Sequence, residues 1–230
     1  MPAVATVVIG AAGTGSRLGV GIPKCLVSVD GRSIIDHQLD LLADVPDVRV
    51  VVGYREEQVV RHVVARRPDA IFVRNPAYST TTTLHSTLLA VRHLGGRPFL
   101  ALDGDLLLEP ESFGAFLDRC EGEGPPLLGV CRSGTDEAVF VTRDGAGAVT
   151  SFHRQPRAEF EWSGPAFLAP EHLEGADGYV YQALERFLPL PAHEVVAREV
   201  DTPADLERAQ AALRTWSSPR SSVTAFPGAA

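Results

Sequence analysis

The chain has 230 residues, 45% hydrophobic and 22% charged, with a formal net charge of −8 at neutral pH. That length suits one large α/β domain, and the acidic balance excludes a nucleic-acid-binding surface, which needs a basic patch. No apolar run approaches the roughly 18 residues of a membrane span, so no membrane partner is expected. The first residues lack the basic and apolar segments of a secretory signal. Cys25, Cys120 and Cys131 are odd in number and widely spaced. A cytoplasmic protein with reduced thiols is the expectation.

In chain order, the apolar run 6–9 ending at Gly10 predicts a buried parallel strand. Helical spacing follows over 33–42, a buried strand over 48–52, a helix over 56–65 and a short strand over 70–73. A helix over 83–94 begins behind the polar run 79–83. Residues 99–102 form a strand that ends in Asp103-Gly104-Asp105, and 110–119 a helix with Pro110 in its first turn. This alternation predicts an α/β fold, a Rossmann-like, mostly parallel sheet flanked by helices. From Gly122 the texture changes. Strands at 127–131, 138–142 and 149–152, joined by Gly-rich turns, predict a small antiparallel β extension over 122–165. A helix over 179–187, a strand over 195–200 and a last helix over 203–213 complete a single domain spanning 1–216. The Ser/Pro/Gly/Ala-rich residues 217–230 read as a disordered tail.

The loop after the first strand reads Gly10-Ala11-Ala12-Gly13-Thr14-Gly15-Ser16-Arg17. Small residues let backbone N–H groups approach an anion, and a helix start beyond them adds a favourable dipole. Neither common phosphate motif fits. The P-loop requires Lys and a hydroxyl where Ser16 and Arg17 stand, and the dinucleotide fingerprint requires glycine at Leu18. Among 21 basic residues Lys24 is the only lysine, a compact ammonium on a flexible stem rather than a planar fork. Asp103 and Asp105, two apart after an apolar strand, point to one side. They face the crevice at the carboxyl end of a parallel sheet, where ligands bind in such folds. Carboxylates in that position suit Mg²⁺. Asp201 stands between a strand and a helix that Thr202 is placed to cap, and Asp205 is a first-turn residue of that helix.

Gly13-x-Gly15-x-Arg17 followed by Pro23-Lys24, together with Val200-Asp201-Thr202-Pro203-x-Asp205-Leu206, resembles the nucleotidyltransferases that make nucleoside-diphosphate derivatives. The match runs in the family's order across almost the whole ordered chain. It implies a nucleotide-diphospho-sugar-transferase-like fold. Gly10, Ala11, Ala12, Gly13, Thr14 and Gly15 would lie beside the nucleotide, and Arg17 and Lys24 would be the catalytic cations that neutralise its triphosphate. Asp105 and Asp201 would be the metal ligands, with Asp103 a supporting nucleotide-side or second-metal residue.

Asn75-Pro76-Ala77-Tyr78 and then Thr82, Thr83 and Ser86 resemble the branch that acts on phosphocholine and small phosphonates, which implies CTP as the donor. This chain carries Thr82 and Thr83 where that branch has an Asn pair. For the acceptor, Trp162 and Tyr179 supply rings, while Arg154 and Arg157 supply positive charge. That balance favours a small phosphonate, such as a phosphonoformate-like one, or a phosphate monoester. Phosphocholine and sugar 1-phosphates are alternatives on the same fold, and a non-catalytic nucleotide-binding regulator is a reading of another class. The apolar face of the hairpins at 138–152 offers a surface for a homodimer.

Overall fold

The computed structural model describes residues 4–15, 18–19, 21–134 and 138–216. Strand β1 (Thr6–Ala11) leads through the glycine loop and a 3-10 turn (Lys24–Leu26) into the ribbon of β2 (Ser28–Val29) and β3 (Arg32–Ser33). Helix α1 (Ile34–Leu41) follows, then β4 (Asp47–Val52), α2 (Glu56–Arg66), β5 (Ile71–Arg74) and α3 (Thr83–Val91). Next come β6 (Phe99–Asp103), β7 (Leu106–Leu108) and α4 (Pro110–Glu123). The second half contains β8 (Leu127–Arg132), β9 (Phe140–Arg143), β10 (Val149–His153) and β11 (Phe160–Leu168). It ends with α5 (Val180–Leu184), β12 (Ala192–Glu194), β13 (Ala197–Glu199) and α6 (Pro203–Trp216).

Strands β5, β4, β1 and β6 form a parallel block in that order, and β11 runs antiparallel beside β6. The near-continuous apolar runs of β1 and β4 follow from burial on both faces. Val7, Ile9, Val48 and Val50 pack under Ile35 and Leu39 of α1, Val59 and Val63 of α2, and Phe113 and Phe116 of α4. Val8 and Val51 point the other way, toward Leu84 and Val91 of α3 and Ala183 and Leu184 of α5. Chain connections leave β1 toward β4 on one side and return to β6 on the other. A crevice therefore opens at the carboxyl ends of β1 and β6, the topological switch point. A third apolar cluster, including Ile34, Leu107, Val200 and Ala209, packs α6 and β7 together behind that crevice.

Four sequence expectations need correction. Strand β11 was not foreseen, because Gly164 and Pro165 interrupt it and such residues argue against a strand interior. It accommodates them through an irregularity in its pairing with β8 between Trp162 and Ala166. The strand expected over 195–200 is the shorter β13 on β7, and a second strand, β12 on β8, precedes it. Among the described residues, the glycine loop is followed by 3-10 turns, and the first α-helix starts at Ile34. Any anion on the loop therefore relies on backbone N–H groups rather than on an α-helix dipole. The segment 179–187 is α5 continued by a 3-10 turn over Glu185–Phe187.

Helix α1 is fixed at its start by a capping box. The Ser33 hydroxyl accepts from the Asp36 amide at 3.2 Å, and the Asp36 carboxylate accepts from the Ser33 amide at 3.3 Å. The buried Asp36 also meets His62 Nε2 at 3.0 Å and Arg66 Nε at 3.1 Å from α2. Burial pushes its carboxyl up, but the bonds from Arg66, Ser33 and His62 outweigh that and hold it well below the usual carboxylate range. A depressed folded-state pKa adds stability that is full above the unfolded value of about 4 and is lost progressively as pH falls from there toward the lower folded-state value. Asp36→Asn should therefore lower unfolding free energy by about 1–3 kcal/mol at pH 7. Urea melts should show the gap to wild type shrinking below about pH 4.

Candidate active site

The site is assembled on one turn. Asp103 ends β6, Gly104 crosses the tip of β1, and Asp105 leads into β7. The Gly104 amide donates to Gly10 O at 2.9 Å. A β-carbon on Gly104 would stand 2.7 Å from that same carbonyl, so only glycine allows the close crossing. The Asp105 carbonyl accepts from the Val200 amide at 3.0 Å. Leu106 lies opposite Glu199 in the β7–β13 ladder. Asp105 is thereby brought beside Glu199 and Asp201, and ligand oxygens of the three lie within 4.8 Å of one another.

Lys24 reaches this cluster from the 3-10 turn after Pro23. Its Nζ donates to Asp105 Oδ2 at 2.9 Å and ion-pairs with Asp201 Oδ1. Gly15 has φ of +59°, and a β-carbon there would lie 2.7 Å from Lys24 Cγ, so this glycine makes room for the lysine stem. A cleft of about 230 Å³ runs from Gly10, Gly13 and Gly15 past Lys24 and Cys25 to Gly104 and Asp105. Ala11 and Ala12 are buried at its base, while Gly13 and Thr14 are exposed at its rim. Burial, and then the charges of Asp105 and Glu199, push the Asp103 carboxyl up to about 7, with Lys24 opposing the rise. Burial, and secondarily Asp105, push the Cys25 thiol up to about 12, so it stays protonated.

Several expected residues converge here and others do not. Lys24, Asp105 and Asp201 meet directly, with Asp103 at the same turn. Arg17 lies outside the described residues, as does the tail 217–230. Thr202 caps α6 after all: its Oγ1 accepts from the Asp205 amide at 3.2 Å, while Asp205 Oδ2 accepts from the Thr202 amide at 2.8 Å. That box satisfies the helix start without Asp201 and leaves Asp201 facing Lys24. Thr83 is exposed beside Gly10, with its Cγ2 3.6 Å from where a Gly10 β-carbon would sit. Ser86 is buried, and its hydroxyl accepts from Asn75 Nδ2 at 3.0 Å, which also donates to Thr81 at 2.9 Å. Thr82 donates to Gly178 O at 2.5 Å, tying the start of α3 to the loop that carries Tyr179.

On that second wall, Tyr179 and Tyr181 stack at 5.9 Å. The Arg154 guanidinium lies over both rings, 5.8 and 5.6 Å from their centroids. Trp162 meets Phe152 edge-on at 6.5 Å and donates to Pro165 O at 3.3 Å, whereas Arg157 turns away to Ser133 O at 3.0 Å. Two residues went unassigned from sequence. Glu199 was legible in principle, since it is two residues before Asp201 and so on the same side of an extended chain. Gln38 was not: it reads as one polar position on a helix, yet it is buried against the Asp103–Leu106 turn.

Hard oxygen ligands from three carboxylates, already close enough to gather around one cation, fit Mg²⁺ or Mn²⁺. A switch-point crevice with a glycine loop, an ammonium and an acidic cluster has the chemistry to take an anion beside a divalent cation. Comparison with known proteins agrees: residues 7–163 match the MobA-like NTP transferase domain, and the chain belongs to that family. It is 30% identical over 226 residues to the bifunctional IPC transferase and DIPP synthase of Rubrobacter xylanophilus, covering 90% of this chain and 51% of that protein. It is 30% identical over 155 residues to the bifunctional protein GlmU of Thermobifida fusca, covering 64% of this chain and 32% of that one. The chain thus spans about half or less of these relatives' lengths. Its fold is shared with the CTP:phosphocholine cytidylyltransferase of Streptococcus pneumoniae, at TM-score 0.77 and 20% identity over 91% of this chain and 100% of that one. It is also shared with the inositol-1-phosphate CTP transferase of T. maritima, at TM-score 0.75 and 18% identity over 92% and 97%.

Because Gly104 has backbone rather than a mobile side chain against it, Gly104→Ala must displace the turn. Mn²⁺ binding followed by electron paramagnetic resonance should weaken about 10–100-fold in this variant.

Proposed function

We propose that this nucleotidyltransferase transfers CMP from CTP to a small phosphonate or phosphate-monoester acceptor, releasing pyrophosphate. The observation that carries the reading is the convergence of Lys24, Asp105, Glu199 and Asp201 at one end of the glycine-loop cleft. An acceptor oxygen attacks the α-phosphorus in line, a new P–O bond forms, and the bond to the β-phosphate bridging oxygen breaks. The acceptor is already an anion, so no general base is needed. The loop amides hold the triphosphate, and Lys24 neutralises charge beside them, with Arg17 assigned the same task from its place in the motif. Asp105, Glu199 and Asp201 would hold a divalent cation, which supplies further charge neutralisation at the phosphates. Positioning and electrostatics do the rest.

CTP as the donor is supported by the Asn75-Pro76-Ala77-Tyr78 segment and by the CTP-using proteins that share the fold. For the acceptor, the chain's own cation, Arg154, lies over the faces of Tyr179 and Tyr181. A quaternary ammonium would have to compete with it there. An acceptor without a cationic head suits this wall better, which favours phosphonoformate-like compounds, or inositol phosphates as the names of two similar proteins suggest, over phosphocholine.

The test is pyrophosphate release across the four NTPs with Mg²⁺ and a panel of phosphonoformate, aminoethylphosphonate, inositol 1-phosphate, phosphocholine and sugar 1-phosphates. CTP with an acceptor lacking a cationic head should turn over fastest. Lys24→Ala and Asp105→Ala should each lose about 100–1000-fold in kcat while keeping a wild-type circular dichroism spectrum. Full activity in either variant would remove the assignment.

A further inference from the structure

Helix α1 brings a buried polar side chain against the Asp103–Leu106 turn that the proposed chemistry has not used. Gln38 is only 1% exposed. Its Nε2 donates to Asp103 O at 2.8 Å and to Leu106 O at 2.9 Å. Those two carbonyls bracket Gly104 and Asp105. Its Oε1 is buried and finds no donor among the described residues. An orphaned buried acceptor is costly, and a hydrophobic residue would avoid that cost. The amide is retained where both of its N–H bonds are used on a single turn.

The other backbone groups of that turn are held from different directions. Gly104 N–H is held by Gly10, and Asp105 C=O by Val200 N–H. Gln38 adds two anchors from α1, on the carbonyls of Asp103 and Leu106. Without them, the turn would keep its backbone bonds to β1 and to the Val200 segment but lose these hydrogen bonds to the helix beneath it. Asp105 stands beside Glu199 and Asp201, and like charges at this range repel, with Lys24 on Asp105 and Asp201 offsetting part of that. Local slack would let Asp105 move away from the others.

We propose that Gln38 is a positioning residue, whose amide locks the Asp103–Leu106 turn so that the Asp105 carboxylate is set for a divalent cation. The proposal rests on the functional reading above only in taking that cation as part of the site. It touches neither nucleotide nor acceptor, so it acts through Asp105.

The test compares wild type with Gln38→Met, which keeps the volume and removes both donors, and with Gln38→Ala, which leaves room for water at the same carbonyls. Mn²⁺ binding is followed by electron paramagnetic resonance, alone and with CTP, beside kcat, the KM for CTP and thermal melting. In a folded Gln38→Met protein the Mn²⁺ dissociation constant should rise about 10–100-fold, with a fall of similar size in kcat. The KM for CTP should change less than about threefold, since the loop amides and Lys24 are untouched, and Gln38→Ala should lie between Met and wild type. If a folded variant keeps Mn²⁺ affinity and kcat within twofold of wild type, or if neither variant folds, Gln38 serves stability alone and the proposal fails. Should wild type release no pyrophosphate from any NTP, the functional reading fails instead, and the Mn²⁺ comparison still decides the role of Gln38.

Discussion

The carboxylates of Asp105 and Asp201 converge on the Lys24 ammonium, with Glu199 and Asp103 close by, and holding those like charges together is the constraint on which the site is built. Two like charges about 4 Å apart repel by about 1 kcal/mol in water and about 4 kcal/mol at the effective dielectric of a protein surface. Lys24 offsets part of this. The burden on the backbone explains why the Asp103–Leu106 turn is bonded to β1, to the Val200 segment and to α1 rather than left as an exposed loop. Burial first, and then the charges of Asp105 and Glu199, raise the Asp103 carboxyl beside this turn. A chain with net charge −8 thus concentrates acid where a cation is needed and keeps its only lysine beside it.

The parallel sheet makes this arrangement possible. Glycine loop, central aspartates and late acids are far apart in sequence, but the carboxyl ends of β1 and β6 and the β7–β13 ladder bring them to one crevice. The second wall is built from a different region. The Thr82 bond to Gly178 O joins the start of α3, which abuts Gly10, to the loop bearing Tyr179. The Thr82 hydroxyl thus adds a hydrogen bond to the apolar packing of α3 on α5 that joins the two regions, and the aromatic pair of that wall faces Arg154.

Much of this was legible in the sequence, for physical reasons. Buried parallel strands read as continuous apolar runs, so β1, β4 and β6 were visible. The two-residue period placed Asp103 and Asp105 on one side, and the Thr202–Asp205 cap was readable beside Asp201. What escaped depends on tertiary context. Strand β11 contains Gly164 and Pro165 and is defined by its neighbours rather than by its own propensity. Gln38 is indistinguishable from a solvent-facing glutamine until the turn beneath it is known. The direction of Arg157, toward Ser133 rather than the tyrosine pair, is likewise set by a loop conformation that spacing does not encode.

The central claim is that this cluster directs attack at the α-phosphorus of a nucleotide. Phosphorus NMR of the wild-type protein with CTP, Mg²⁺ and phosphonoformate or inositol 1-phosphate tests it directly. The account predicts equal accumulation of pyrophosphate and of a CMP-linked product, with loss of the CTP α-, β- and γ-resonances together. Release of inorganic phosphate with CDP, or an unchanged spectrum with every acceptor, would contradict it.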